Sequence, residues 1–461
     1  MSISSLLNTS RDSLQSYQLA LDLTGANIAN ANTPGYSRQR AVFNSLGTVD
    51  VRAVNVQIGV KVTNVERIYD EYLDNQVNDQ SQKMGYGEAK SDVLNRIEGI
   101  FAENGGGASD QMNKFWNAWS GLSANPNGQV ERENLLAAAE NMTSAFRRLD
   151  GDLTKVVQDA GDNILNIVSQ VNDYLSQVAD LNRQITSIAD DRGETNLLKD
   201  NRTDVLNKIS NIIDMQYFED DNGSVNIFLA DGRPLITGES VLKLAGKSNL
   251  SNVVDDIVYQ DNPGVSLQKT ISQGKNGKLA ALLEIGNVTI PGYRDKLDAI
   301  ANNLIAEVNA QHKQGYDIHG NAGGDFFDPT TGVKNFHVSA AVTSDANKIA
   351  ASATVDGDGD NARSIDAIKD KFVMSGGTAT IDDYYSSLIG QIGRDVAGAK
   401  SSLDQQTSIM QQLINRREST SGVSLDEELM DIMKYQMAYN AAGKMVNTVN
   451  ELMETIIHLG E

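Results

Sequence analysis

The sequence predicts a mainly α-helical, multidomain α+β fold: long heptad helices in a coiled-coil-like bundle, with a small β-rich domain inserted. Three observations predict it. Apolar residues recur at alternating spacings of three and four over long stretches, the mark of helices that pack along a seam. The six prolines stand beside turn formers or at helix starts, never inside a periodic apolar run. Between 216 and 288 the helical period yields to short β-type runs split by turn signals such as Asn222-Gly223 and Asp231-Gly232. The length, 461 residues, suits about three domains at ~150 residues each.

The first element is a helix with Ile3, Leu7, Leu14, Tyr17, Leu21 and Ile28 on one seam, and with Ser10 and Thr24 filling other seam slots. Residues 3–29 hold only three charges, Arg11, Asp12 and Asp22. A solvated helix face carries more charge than that, whereas a face that meets neighbouring subunits need not. Serine and threonine in the seam also make this helix weak alone, so it reads as a segment that orders on assembly. Residues 41–65 alternate apolar and polar (Val54, Val56, Ile58, Val60, Val62), which predicts an extended or hairpin connection. Residues 102–109 (AENGGGAS) read as a flexible link.

The clearest heptad run follows: Leu153, Val157, Ala160, Ile164, Ile167, Val171, Tyr174, Val178, Leu181, Ile185 and Ile188. It spans roughly 36 residues, about 54 Å of helix. After the β-type runs, of which Val225–Leu229 is one, residues 315–383 are mixed, rich in Gly and Asp, and give no defined element. Helical spacing resumes with Ile389, Ile392, Val396, Ala399, Leu403, Met410 and Leu413, interrupted by Gln406. Ser424-Leu-Asp-Glu427 is a capping box with acidic residues at a positive helix end. It opens a last seam of Leu425, Ile432, Tyr435, Tyr439, Ala442, Val446, Val449, Met453 and Ile456. The domain reading is therefore terminal heptad helices at 1–40 and 420–461, disordered in the monomer; a helical rod domain from 41–215 and 289–419, containing the mixed segment 315–383; and a β-rich domain at 216–288.

Composition excludes several chemistries. There is no cysteine, so disulfides, thiolate metal sites and cysteine nucleophiles are out. With 39 Lys+Arg against 61 Asp+Glu the net charge is −22, which leaves no cation excess for nucleic acid. The longest purely apolar runs, Leu135–Ala139 and Leu279–Leu283, have five residues, where a membrane span needs ~20. The opening MSISSLLNTSRDSLQ has neither a basic start nor an apolar core of signal-peptide length, so export through the ordinary secretory route is not expected. Asp356, Asp358 and Asp360 have the one-three-five spacing of a calcium loop, but Asn361 stands where the turn needs Gly and Ala367 where a bidentate Glu belongs. His312 and His319, with Asp325 and Asp328 downstream, lack zinc spacing. Phe115, Trp116 and Trp119 read as helix core, with a sugar platform the other option. No catalytic, cofactor-binding or metal residue is assigned, and the chain does not read as an enzyme.

The segment Ala26-Asn-Ile-Ala-Asn-Ala-Asn-Thr-Pro-Gly-Tyr-Ser-Arg38 resembles the signature of bacterial flagellar axial proteins, with Asn27, Asn30, Asn32, Pro34, Gly35 and Tyr36 as its motif positions. Its physics is that of a helix stop: asparagines that tolerate left-handed geometry, Thr33 pushed extended by Pro34, and Gly35 to turn. Ser424–Glu428 followed by Tyr435–Ala442 resembles the C-terminal helix of the same proteins. Phe115–Trp119 with Leu122–Asn127, Leu181–Ile185, Ile290–Asp298 and the stretch from His312 to Phe327 resemble the hook-associated protein 1 subgroup, the hook–filament junction subunits. The 216–288 region is short for that group, which implies a reduced surface domain.

The resemblance implies a structural subunit between hook and filament, with terminal helices lining an inner tube and the β-rich region outermost. On it, Leu7, Leu14, Tyr17, Leu21, Ile28, Ile432, Tyr435, Tyr439, Val446, Val449, Met453 and Ile456 are the candidate subunit interface. Implied partners are sister copies packed head-to-tail and laterally, the hook protein, a second junction protein on the flagellin side, and an export chaperone on the C-terminal helix. Neither nucleic acid nor membrane is among them, and no cofactor. The implied location is the extracellular flagellum, reached by type III export without a cleaved signal peptide. The other options are the hook subunit itself, or a secreted adhesin or enzyme displayed on a flagellar scaffold.

Overall fold

A computed structural model describes residues 3–33, 35–45, 48–51, 54–57, 59–102, 106–188, 193–249, 254–355 and 357–459. The chain opens with helix α1 (Ile3–Ala29) and strands β1 (Gln39–Ser45), β2 (Thr48–Val51), β3 (Val54–Gln57) and β4 (Val60–Arg67). Helices α2 (Glu71–Phe101), α3 (Ala108–Ala124), α4 (Gln129–Thr186) and α5 (Asn196–Ile212) follow. Then come β5 (Met215–Glu219), β6 (Val225–Leu229), β7 (Pro234–Thr237), β8 (Ser240–Val241), β9 (Leu244–Ser248), β10 (Val254–Tyr259) and β11 (Asn262–Ser266). Helices α6 (Gln268–Gln273), α7 (Gly277–Glu284), α8 (Ile290–His312), α9 (Ala340–Ser344), α10 (Asp360–Asp366), α11 (Ile381–Ser421) and α12 (Leu425–Leu459) complete it, a π-helical turn over Ile285–Thr289 joining α7 to α8. Long helices with small antiparallel sheets are the predicted fold class.

The chain divides into two compact units. The first comprises Met1–Met84, Gln170–Lys243 and Gln406–Glu461; the second comprises Gly85–Ser169 and Leu244–Gln405. In the first, β1 pairs antiparallel with β4, β2 with β3, and β5 to β8 form a four-stranded sheet in sequence order. In the second, β9, β10 and β11 form a three-stranded sheet. The stretch 216–288 therefore gives a sheet to each unit and ends in helices, because a strand pattern in sequence says nothing about which strands pair. Val60 and Val62 of the alternating 41–65 stretch lie in β4. Ile58, residues 103–105 of the predicted link, and the side chains of Ile3, Val54 and Val56 fall outside the described residues.

Helix α4 shows how a heptad reading can pick the wrong companion row. It buries Leu153, Val156, Ala160, Ile164, Val168, Val171, Leu175, Val178, Asn182 and Ile185. Val156, Val168, Leu175 and Asn182 thus replace the expected Val157, Ile167, Tyr174 and Leu181, each one position away. The two rows coincide at Leu153, Ala160, Ile164, Val171, Val178 and Ile185; between these, positions three and four along both lie close to the row, and the fold decides which of the two is covered.

Buried polar side chains tie the first unit together. Asn182, fully buried, donates from Nδ2 to the carbonyls of Val225 and Gly238 (both 2.8 Å) and accepts at Oδ1 from Val225 N and Arg202 Nη1 (both 3.0 Å). Arg202 also donates to Gly223 O (2.6 Å) and pairs with Glu219 (2.5 Å), so two helical side chains pin the β5–β8 sheet. Gln406, the interruption in the α11 seam, faces buried Gln80, whose Nε2 donates to its backbone oxygen (2.8 Å) and its Oε1 (2.7 Å). A polar seam residue finds a polar partner.

The second unit holds a large core cluster that draws on residues from Leu94 to Ala399. Phe115 and Trp119 of α3 are fully buried and pack against Phe326 (6.0 and 5.1 Å between ring centroids), so the core reading of that aromatic cluster holds. His312 is buried with Nδ1 against Gly324 O and Nε2 accepting from Ala350 N (both 2.8 Å). Both ring nitrogens are spent on backbone, which removes it as a metal ligand. Asp358 likewise spends its oxygens on Ala353 N, Thr354 and Asp360 N in its own turn. Asp356 lies outside the described residues, and among those described no group of three acidic, His or Cys side chains is arranged for a metal.

Candidate assembly interface

The two ends of the chain meet: α1 and α12 make the most extensive contact of any two elements among the described residues. Asn27 of α1 bonds to Glu428 of α12, and Ala20 shares a buried cluster with Tyr435. Position falls on α1 as it rises on α12, so the pair is antiparallel, and on that register Val449 comes opposite about residue 6. The buried row on α12 is Glu428, Tyr435, Ala442 and Val449, one residue every seven.

Helix α1 buries small residues rather than its leucines: Ser10, Ser13, Ser16, Ala20, Thr24 and Asn27 are covered, while Leu7, Leu14, Leu21 and Ile28 are half-buried. Hydroxyls can be buried because each finds an acceptor. Ser10, Ser16 and Thr24 donate to the carbonyls of Leu6, Asp12 and Ala20 one turn back (2.9, 2.7 and 2.8 Å). Ser13 and Ser16 accept from the backbone amides of Val60 and Val62 in β4 (3.2 and 3.0 Å), which seats the hairpin on the helix.

Where α1 ends, a polar clamp joins the termini. Asn27 Nδ2 donates to Gln39 O (2.9 Å) and Glu428 Oε2 (3.0 Å), and its Oδ1 accepts from Tyr36 Oη (2.8 Å) and Gln39 N (3.0 Å). All four of its hydrogen-bonding positions are used. Arg38 lies 2.6 Å from both Glu427 and Glu428 and 3.6 Å from Asp431, so Glu427 pairs with arginine. Against the cost of partial burial, those carboxylates hold the Arg38 guanidinium more firmly charged than usual. Burial, with Asp200 and Glu428 nearby, pushes the Tyr36 phenol up to about 12. Ser37 N donates to Asp200 (3.2 Å), which Arg67 also faces (3.2 Å); burial pushes that carboxyl up against the pull of Arg67.

The motif residues form this stop. Asn30 donates from Nδ2 to Ala26 O (2.9 Å) and accepts from Thr33 Oγ1 (3.2 Å), and Gly35 takes φ +80°, a left-handed conformation. Asn32 is exposed, and Pro34 lies outside the described residues.

Of the interface candidates, Tyr435 and Val449 are buried in the α1–α12 pair, and Ile432 and Val446 are half-buried. Tyr17 and Tyr435 flank Phe43 at 5.6 and 5.8 Å. Tyr439, Met453 and Ile456 are exposed. The last two lie beyond Val449, toward the end of α12. Sequence spacing placed Leu425 in the seam, but it is more than half exposed, and it missed the row beside it: Leu429, Met430, Met433 and Met437 are also more than half exposed. At 100° per residue Met430, Met433 and Met437 lie opposite the buried row. Their own spacing of three and four was the available signal. Sequence reading also passed over Arg38 and Glu428 as partners, since 390 residues separate them.

Comparisons with known proteins show the family. A family model described as "Flagellar hook-associated protein FlgK helical domain" matches residues 94–327. "Flagellar hook-associated protein 1" of Bacillus subtilis is 30% identical over 98% of this chain and 97% of that protein. The chain belongs to the flagellar hook-associated protein 1 family. As a member of it, the chain is a structural protein of the bacterial flagellum. The Salmonella typhimurium protein of the same name is 24% identical over 99% of this chain and its own full length. Family models for the "Flagella basal body rod protein" and the "Flagellar basal body rod FlgEFG protein C-terminal" match residues 7–36 and 416–459, so α1 with its stop, and α12, are what this family shares with rod proteins. The solved structure of the flagellar hook junction protein FlgK from Burkholderia pseudomallei has the same fold, with a TM-score of 0.67 at 16% identity, covering 75% of this chain and all of that one. No helix among the described residues is long and apolar enough to cross a membrane.

Proposed function

We propose that the chain works as the subunit of the hook–filament junction and polymerises through its α1–α12 pair. It is a structural subunit, and its activity is assembly rather than catalysis. The observation that carries this is the uncovered apolar surface of α12: Leu425, Leu429, Met430, Met433, Met437, Met445, Leu452, Met453, Ile456 and Ile457, each more than a third exposed. Fully burying such a side chain is worth about 1.5–3 kcal/mol. Covering ten that are already half covered is then worth on the order of 10 kcal/mol, which offsets an association cost of about 4–15 kcal/mol. A second copy of this chain supplies the cover, through heterologous contacts that repeat around and along a tube.

In this reading the regions 1–40 and 420–461 form the inner-tube domain, with the remaining helices and sheets outside it. In the free subunit the pair opens more readily than the second unit's core, because α1 contributes small residues to the shared seam. An export chaperone covers α12 by helix-in-groove burial before assembly. Type III export delivers the unfolded chain, with which the absence of cysteine is compatible. Hook protein contacts one end of the assembled segment, and the second junction protein and flagellin the other. Deleting the gene tests the role: hooks persist and filaments are lost. Normal filaments on such hooks, or full protection of α1 and α12 amides in dilute monomer, refute the reading.

A further inference from the structure

The methionines divide sharply by place. Five of the twelve, Met430, Met433, Met437, Met445 and Met453, sit on α12 at 37–68% exposure, while Met112, Met142, Met215, Met374 and Met410 are 8% exposed or less. With no cysteine in the chain, thioether sulfur is the only sulfur available to an oxidant. Three of the exposed five stand on the face opposite the buried row, and Met453 follows Val449 one turn on.

We propose that α12 is a methionine-oxidation site: peroxide-class oxidants convert its thioethers to sulfoxides in the folded, unassembled subunit when no chaperone covers the helix, and that modification blocks addition to the hook. The step is a two-electron transfer. A sulfur lone pair attacks one oxygen of hydrogen peroxide, an S–O bond forms as the O–O bond breaks, and the leaving hydroxide takes up the proton that the transferred oxygen loses and departs as water; sulfur is oxidised and peroxide reduced. The product is a polar, chiral side chain where a flexible apolar one stood. A sulfoxide buried without a donor loses its hydration, so a face that must be dried in assembly is disfavoured. Methionine sulfoxide reductases reverse the change, so the subunit is reactivated rather than discarded. This inference rests on the proposed use of α12 in assembly.

The full-length chain is treated with hydrogen peroxide at low protein concentration, and each methionine is followed by peptide mass spectrometry. The five on α12 should be modified at least tenfold faster than the five buried ones. Treated and untreated protein are then sedimented with isolated hooks. Treatment should reduce co-sedimentation at least tenfold, and reductases of both epimer specificities should restore it. In a variant carrying M430L, M433L, M437L, M445L and M453L, peroxide should change hook binding less than twofold from that variant's own untreated level. Uniform oxidation across the ten sites overturns the proposal, as does unchanged hook binding by oxidised protein or loss of binding in the leucine variant on peroxide treatment. Failure of the untreated wild-type chain to bind hooks instead removes the assembly reading beneath it.

Discussion

Replacing Asn27 by alanine should loosen the joined termini while leaving the second unit untouched. The side chain makes four hydrogen bonds, one of them to the carboxylate of Glu428 at 3.0 Å. A bond to a charged group contributes about 1.5–3 kcal/mol and an orphaned backbone group costs about 1–3 kcal/mol. Two features cap the loss: Glu428 keeps Arg38 at 2.6 Å, and half-buried Tyr36 can turn its hydroxyl to water. The net cost is then about 3 kcal/mol, roughly a hundredfold in the opening equilibrium. Hydrogen exchange should show peptides spanning 16–29 and 425–440 exchanging about a hundredfold faster. Trp116 and Trp119 both lie in the other unit, so the tryptophan fluorescence transition in urea should not move. Asn27→Asp should be worse than Asn27→Ala, since it removes both donors and sets a second carboxylate against Glu428. Less than a fivefold change in exchange, or aspartate tolerated better than alanine, would refute the clamp as the element that joins the termini.

Acid should weaken the second unit through His312. Burial pushes its imidazole down to about 4, whereas the unfolded form takes its proton near 6.5, so stability falls as pH drops from 6.5 toward 4 and then levels. Going from pH 7.5 to 5 should remove about 2 kcal/mol, read by the fluorescence of Trp119, whose ring lies 6.3 Å away; His312→Asn should flatten the dependence. Arg132 is fully buried and bridges Pro126 O (2.6 Å) and Ile349 O (2.7 Å). Arg132→Met should therefore lower the tryptophan-detected urea midpoint by an amount equivalent to about 3 kcal/mol. Asn182→Leu empties four bonds at once, and should cost about 3–4 kcal/mol, seen as loss of exchange protection in the β5–β8 sheet with little change in the second unit's core.

By itself the sequence determined the secondary-structure periods, the helix stop at Asn27–Tyr36, the aromatic core residues of α3 and the family. These rest on interactions within a few residues: apolar spacing, turn chemistry, and a glycine at φ +80°. Tertiary structure decided the rest, because partners far apart in sequence leave no local trace. Nothing near Glu428 says that it meets Asn27 and Arg38, and nothing in 216–288 says that its strands belong to two sheets. Along α4 the fold also decided which companion of the shared row, three positions on or four, is covered. Tertiary structure also chose which face of α12 is covered. The sequence offers two apolar rows on that helix; only the small side chains of α1, seated at close range by the β1–β4 hairpin, decide that the tyrosine row is buried and the methionine row is left to water.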